Sequence, residues 1–415
     1  MKTPHRWLIL AVAFIANLIV GSAYAWGVLS VPLREQFGFT TAQTGLAFSF
    51  ALGLIAIWMT LSGKIVAKTG PKPIIFAGGV AAGLSWILSS FISEAPWTMF
   101  LFYGVIGSIG IGLVYGTCVP TVLKWFPDKR GLAGGIIVGG FGGGAVVFAE
   151  IFRATIENWG IQQTFMNFGI AFIIIVPLAS FLIPSPPAGY VPAGWTPPTP
   201  APGASKSNDL TDMQALRTLR FWVLLAIFAS ALTGGIGIIG QVGNIANLRL
   251  GLPGPQIAQA VLFLGIANTL GRIIWGQISD KIGRNISLGL MNALSVACLF
   301  LLMGTNESTP FPLFVLYVMG VGQAFGGTAG VYPAIVAENF GITHTGAIFG
   351  LIFFGFTIAA FAGPTIQGSV FDNTGSHDGG LLFSAVAGMV SIALTVVLVQ
   401  MKKKAQATAH QIQTS

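Results

Sequence analysis

Charge is what this sequence has least of. Asp, Glu, Lys and Arg together make up 8% of its 415 residues, whereas hydrophobic residues reach 54%. Soluble domains carry about 25% charged residues, so the chain is expected in a bilayer. Cysteine is almost missing too. Cys118 and Cys298 lie far apart in apolar runs without C-x-x-C spacing, which argues against a disulfide framework or a thiolate metal site. Histidine occurs four times and never in a cluster: His5 and His410 are terminal, and His344 and His377 sit near loops. There is no H-E-x-x-H and no phosphate-binding loop. "GGFGGGA" follows no strand and lacks the loop lysine, which excludes a built-in ATPase motor. No metal or cofactor is expected, and nothing suggests a membrane enzyme.

What remains is hydrophobic length. Apolar runs cover 8–30, 43–63, 73–93, 97–123, 132–155, 163–184, 221–248, 256–279, 286–304, 311–337, 346–370 and 380–401. About 20 apolar residues cross a bilayer, so twelve spans fit. The first run lacks a small-residue cleavage site and reads as a retained helix. The net charge of +8 is unevenly placed. Loops sharing a side with the N-terminus hold 16 cations against five acids. The other side has three cations (Arg34, Arg153, Arg249) against seven acids, leaving Arg272 over. The positive-inside rule then puts both termini in the cytoplasm. The basic balance reports topology and membrane lipid, not a nucleic-acid partner.

Residues 185–219 are rich in Pro and Gly and cannot continue a helix. They read as a cytoplasmic linker, with a short surface helix possible in "NDLTDMQALRT". The expected organisation is a six-helix bundle over 1–184, the linker at 185–219, a second bundle over 220–401, and a basic tail at 402–415. "GKIVAKTGPK" (63–72) lines up with "GQISDKIGRN" (276–285) at an offset of 213, and Pro120 corresponds to Pro333. The fold class is therefore an all-α polytopic membrane protein, two pseudo-symmetric halves with a substrate site between them. Small residues recur every fourth position in span four (Gly104, Ser108, Gly112, Gly116) and span five (Gly135, Gly139, Gly143). They let helices approach closely, in static packing or in sliding contacts.

One charge sits inside a span. Arg272 precedes Asp280 by eight residues, about 12 Å along a helix. It either snorkels to the headgroups or faces a central cavity and grips a carboxylate. Asn268 lies one turn earlier on the same face. Other polar groups in the spans are Asn17, Tyr24, Tyr115, Tyr332, Gln241 and Asn244, each a ligand contact or a helix–helix hydrogen bond. Phe141, Phe325, Phe353 and Phe356 are candidate apolar walls, or plain aromatic packing.

Some stretches carry a family resemblance. "GQISDKIGR" resembles the loop signature of the major facilitator superfamily through Gly276, Asp280, Lys281, Gly283 and Arg284. The first-half copy keeps Gly63, Lys68 and Gly70 but has Ala67 in place of the acid. "LKWFPDKRGLAGG" (123–135) resembles the span 4–5 signature of the oxalate/formate antiporter and monocarboxylate transporter group. "GSAYAWGV" (21–28) is similar to that group's first-span signature, with Gly21 where an acid is expected. In this group a span-eight arginine, here Arg272, is the substrate-carboxylate ligand, and aromatic site residues stand at the places of Tyr24 and Tyr115.

The resemblance implies a secondary carrier working by alternating access. Oxalate carriers of the group pair the arginine with a span-eleven lysine. Here Phe356 takes that position, and span eleven has no charge between Thr345 and Pro364. One cation matches one carboxylate, so the expected substrate is a short monocarboxylate such as L-lactate or pyruvate. Family habit implies symport with a proton. Animal members have an aspartate one turn before the arginine; Asn268 stands there instead. This leaves exchange of the oxalate:formate type open, or a proton acceptor near a helix end: Glu150, Glu338, Asp372, Asp378 or His377. A transport-like sensor subunit is the alternative of another class.

Overall fold

The structure, a computed structural model, describes residues 5–187, 189–192, 210–341 and 345–414; of residues 130, 131 and 402–414 it describes the backbone alone. Among the described residues every regular element is helical. Eleven stretches are long and apolar enough to cross a membrane. Span one is Arg6–Phe37, span two Thr41–Thr69, span three Pro71–Ser89 and span four Pro96–Trp125. Span seven is Leu219–Leu250, span eight Gly254–Ile282, span nine Arg284–Met303, span ten Phe311–Phe340, span eleven Thr345–Thr374 and span twelve Asp378–Met401.

Leu132–Ser180 is one stretch of 49 residues. At 1.5 Å per residue it would be about 70 Å long, twice a bilayer core. Gly160 resolves this: its φ of 79° and ψ of 164° are non-helical, and the chain turns back there. Spans five and six are the parts before and after it, giving twelve crossings. The separate runs expected at 132–155 and 163–184 are thus joined by a single-residue kink. Tertiary packing extends the helix up to a glycine, the residue that adopts positive φ without a Cβ clash.

The face on which span one begins and span four ends, joined there by the Arg6–Asp128 ion pair, is called here the terminal face, and the opposite one the distal face. The expected surface helix is present as Asp212–Leu216, where Thr211 and Gln214 form a capping box. Linker residues 193–209 lie outside the described residues. The expected tail does not leave the helix: the last helix runs Asp378–Thr414. Glycines with positive φ recur along the chain. Gly38, Gly70 and Gly160 have positive φ, as do Gly251, Gly283 and Gly375, the pairs being 213, 213 and 215 residues apart.

The small-residue stripe of span four is a packed surface, whereas Gly135 and Gly139 of the span-five stripe meet nothing. On span four, a Cβ at Gly104 would stand 2.6 Å from Phe50 Cβ and one at Gly116 2.8 Å from Ser62 Oγ, both on span two. Ser108 accepts from Trp58 Nε1 at 3.1 Å. On span five, Gly144 lies directly against the Gly21 backbone of span one.

The same close approaches show where spans one to six meet spans seven to twelve. A Cβ at Gly368 would stand 2.6 Å from the Thr41 carbonyl oxygen, and one at Gly45 2.6 Å from that of Pro364. Ser49 and Thr365 hydroxyls are 3.0 Å apart. Span five meets span eight at Ala145–Gly265 and again at Gly142–Arg272. Toward the terminal face the contacts stop. Gly63, Gly135, Gly139, Gly276, Gly346 and Gly350 have open space where a Cβ would be. A cleft therefore opens on the terminal face and closes toward the distal face.

Candidate functional site

Arg272 sits at the closed end of this cleft. Span eight lies close along span ten because span ten carries glycine at the contact. A Cβ at Gly326 would collide with the Asn268 carbonyl, and one at Gly330 would stand 3.0 Å from that of Arg272. With the backbone held this way, the Arg272 side chain reaches toward span five. A Cβ on Gly142 would be 3.5 Å from Nε and 3.7 Å from Cζ. The hydroxyls of Tyr24 and Tyr115 stand beside the guanidinium.

The guanidinium is under-used. Its Nε is buried and has no hydrogen-bond partner, and among the described residues no carboxylate pairs with Arg272. A buried donor without an acceptor is costly, and Arg272, half-buried as a whole, has no counter-charge to offset it. The snorkelling alternative does not fit a side chain held between Gly142 and two tyrosines.

A chain of aromatic rings leads away from the two tyrosines. Phe141 meets Tyr24 at 4.9 Å and Tyr115 at 5.0 Å. Phe325 lies 6.2 Å from Tyr24 and 6.4 Å from Phe356, and Phe356 stacks on Phe353 at 4.9 Å. One charge among apolar walls can hold one small anion with a short apolar body.

Other expected residues lie elsewhere. Tyr332 is fully buried, packs on Phe228 at 4.3 Å and donates to the Leu224 carbonyl, so its hydroxyl is spent on span seven. Asn17 donates to the Ala13 carbonyl of its own helix at 3.0 Å. Asn268 is buried against Gly326, its Oδ1 without a partner. Gln241 donates to the Thr41 and Pro364 carbonyls, and Asn244 to Thr44 Oγ1, so both join the spans on the distal side.

The possible proton acceptors are engaged at helix ends. Glu150 accepts from Arg153 at 2.8 Å, Glu338 from Arg284 at 3.3 Å and Asp378 from Arg249 at 2.6 Å. Asp372 accepts the backbone N–H groups of Thr41 and Ala42. His377 is 4% exposed and stacks on Phe371 at 4.2 Å. Burial, with Arg249 and Arg34 nearby, pushes its imidazole down to about 4, so it is neutral at pH 7. Below its ordinary value near 6.5 the unfolded chain takes up the proton and the folded one does not. Stability should therefore fall as pH drops from 6.5 to 4. Thermal melts of His377→Asn over this range should show a shallower decline than wild type.

In the loop signature, Asp280 pairs with Arg284 at 2.5 Å, Lys281 is exposed, and Gly276 is open on its Cβ side. Gly283 turns the chain with a φ of 93°, as Gly70 does at 77° in the first-half copy. The side chain of Arg130, in the span 4–5 stretch, lies outside the described residues, as does His344. Gly142 was the residue the sequence did not single out. It belongs to "GGFGGGA", between Phe141 and the stripe residue Gly143, and its missing side chain gives the guanidinium its space. Thr269 Oγ1 would be 3.3 Å from a Cβ at the same place.

The Major Facilitator Superfamily profile matches residues 7–364 and 250–412. The uncharacterized MFS-type transporter YhjX of Escherichia coli is 28% identical over 86% of this chain and 86% of its own. The oxalate:formate antiporter of Oxalobacter formigenes is 26% identical over 95% of this chain and 92% of its own. Human monocarboxylate transporter 11 is 25% identical over 91% and 79%, respectively.

Proposed function

The chain belongs to the Major Facilitator Superfamily, as a multi-pass membrane transporter and not an enzyme, and from that premise we propose that it carries short monocarboxylate anions such as L-lactate and pyruvate by alternating access. The observation that carries this reading is the solitary guanidinium of Arg272 at the closed end of the cleft, without a carboxylate partner among the described residues, beside Tyr24 and Tyr115, from which Phe141, Phe325, Phe356 and Phe353 continue as a chain of rings. A planar fork of donors suits a carboxylate, and one cation suits a monoanion. The names of two relatives, a monocarboxylate transporter and an oxalate:formate antiporter, agree with an organic anion as cargo. Tyr24 and Tyr115 would orient the carboxylate, and the phenylalanines would receive its alkyl end. Asn17, Asn268 and Tyr332 would support helix packing.

In this reading the terminal face is cytoplasmic, the membrane is the bacterial inner membrane, and the conformer described is inward-facing. The two six-helix halves, 1–184 and 220–401, rock about the site, and the repeated glycines support that division. Symport with a proton is the coupling proposed. The bare Arg272 favours exchange as the second reading, because an empty carrier would have to close over an unpaired cation. Radiolabelled L-lactate uptake into empty proteoliposomes under an inward proton gradient separates them. Concentrative uptake supports symport. Uptake only into vesicles preloaded with a monocarboxylate supports exchange. Faster oxalate than lactate uptake would overturn the monoanion assignment.

A further inference from the structure

The distal face is closed by an unusual kind of contact. Every ion pair among the described residues joins groups within spans one to six or within spans seven to twelve: Arg6–Asp128, Arg153 with Glu150 and Glu157, Arg249–Asp378, and Arg284 with Asp280 and Glu338. None crosses between the two sets. The charged groups that do cross face neutral partners: Asp372 from spans seven to twelve, Arg34 and Glu35 from spans one to six. Asp372, at the end of span eleven, accepts Thr41 N–H at 3.0 Å and Ala42 N–H at 2.7 Å. These are free amides in the first turn of span two, where a helix start favours negative charge. Arg34, near the end of span one, donates from Nε to Asn244 Oδ1 at 3.0 Å and from Nη2 to Asn247 Oδ1 at 2.9 Å. Asn247 in turn donates to Glu35 at 3.4 Å.

We propose that Asp372 and Arg34 form the distal clasp of the transport cycle, holding this face shut while the terminal face is open and releasing it in each turnover. The proposal rests on the alternating-access reading above and is independent of which anion is carried. Hydrogen bonds to an ionised group are about twice as strong as neutral ones, so four of them hold the face closed. Each ion can exchange its neutral partners for water when the face opens. A direct Arg–carboxylate bridge would be a deeper trap, because parting it leaves two complementary charges. Both residues are positioning residues: neither touches the Arg272 site, and they act by setting how often the distal side is closed. Glu35, Arg249, His377 and Asp378 are the other ionisable groups near the clasp.

The test is sided labelling. Ser49 is buried where spans two and eleven meet, so Ser49→Cys reports distal opening to a membrane-impermeant maleimide. Cys118 and Cys298 are replaced by serine to remove background. Asp372→Asn and Arg34→Gln should each speed labelling from the distal side by about five- to tenfold, a shift expected of a lost coupling of this kind. Asp372→Glu should restore it toward the starting rate. In transport, Asp372→Asn should lower the half-saturating concentration on the distal side while also lowering turnover. A merely structural residue would lower turnover or protein yield without that split. Labelling rates unchanged in both variants would overturn the proposal. Because labelling needs no substrate, that result would leave the monocarboxylate assignment untouched. Faster labelling of the variants, together with no lactate flux by the protein that keeps Asp372 and Arg34, would retain the clasp and sink the assignment.

Discussion

Arg272→Ala is expected to lower L-lactate uptake by on the order of 100- to 1,000-fold, the range that follows from breaking a buried charge–charge contact. The reason lies in how little else the site offers an anion. Arg272 is the single cation inside a span that the charge map leaves over, and the groups beside it are two tyrosine hydroxyls and a ring of phenylalanines. Without it, the substrate carboxylate would be buried against hydroxyls alone. Arg272→Lys keeps the charge but loses the fork, and Nε no longer lies over Gly142. It should retain a small fraction of uptake, with a raised half-saturating concentration. The control is folding. Arg272 is half-buried and makes no ion pair, so removing it costs the fold little, and Arg272→Ala should melt close to the wild-type temperature in detergent. Near-normal uptake by Arg272→Ala would remove the guanidinium from the mechanism.

The second large effect concerns which anion is carried. Phe356 stands where the oxalate-carrying group that this chain resembles has a lysine, and it is buried in contact with Phe353 and Phe325. Phe356→Lys would place a second cation along the same aromatic wall as Arg272. A dianion could satisfy both charges, whereas lactate would leave one bare. Lactate uptake should fall by about tenfold or more, given what an unpaired buried charge costs, and oxalate exchange should appear. Parallel flux of labelled lactate and labelled oxalate gives the answer. A variant that carried lactate at the wild-type rate and no oxalate would show that charge count does not select the substrate.

Much of this molecule is legible from hydropathy alone, because a bilayer forces long apolar helices and leaves charge at their ends. Arg272 was conspicuous for the same reason, as a charge out of place. Periodicity could not say which neighbour a polar tip reaches. Tyr332 and Asn268 both share a helix face with plausible site residues. Yet Tyr332 spends its hydroxyl on a span-seven carbonyl, and Asn268 is pressed into a glycine of span ten. The turn at Gly160 was hidden in a longer gap, since nothing in the local sequence says that helix persists up to one residue. Asp372 was visible as an acid near a helix end. Its partners were not, because they are backbone amides 330 and 331 positions away.

The meeting of Gly142 with Arg272 marks where the cleft ends, and this has a mechanical meaning. Two bodies that rock against each other move least at their pivot and most at their rims. If the guanidinium lies at that pivot, the anion need hardly travel during a cycle. The barrier would be carried past the cargo, first on one side and then on the other, while the contacts at the fulcrum persist. A substitution that fills the pivot, such as Gly142→Leu, would then stiffen the lever as well as crowd the ligand.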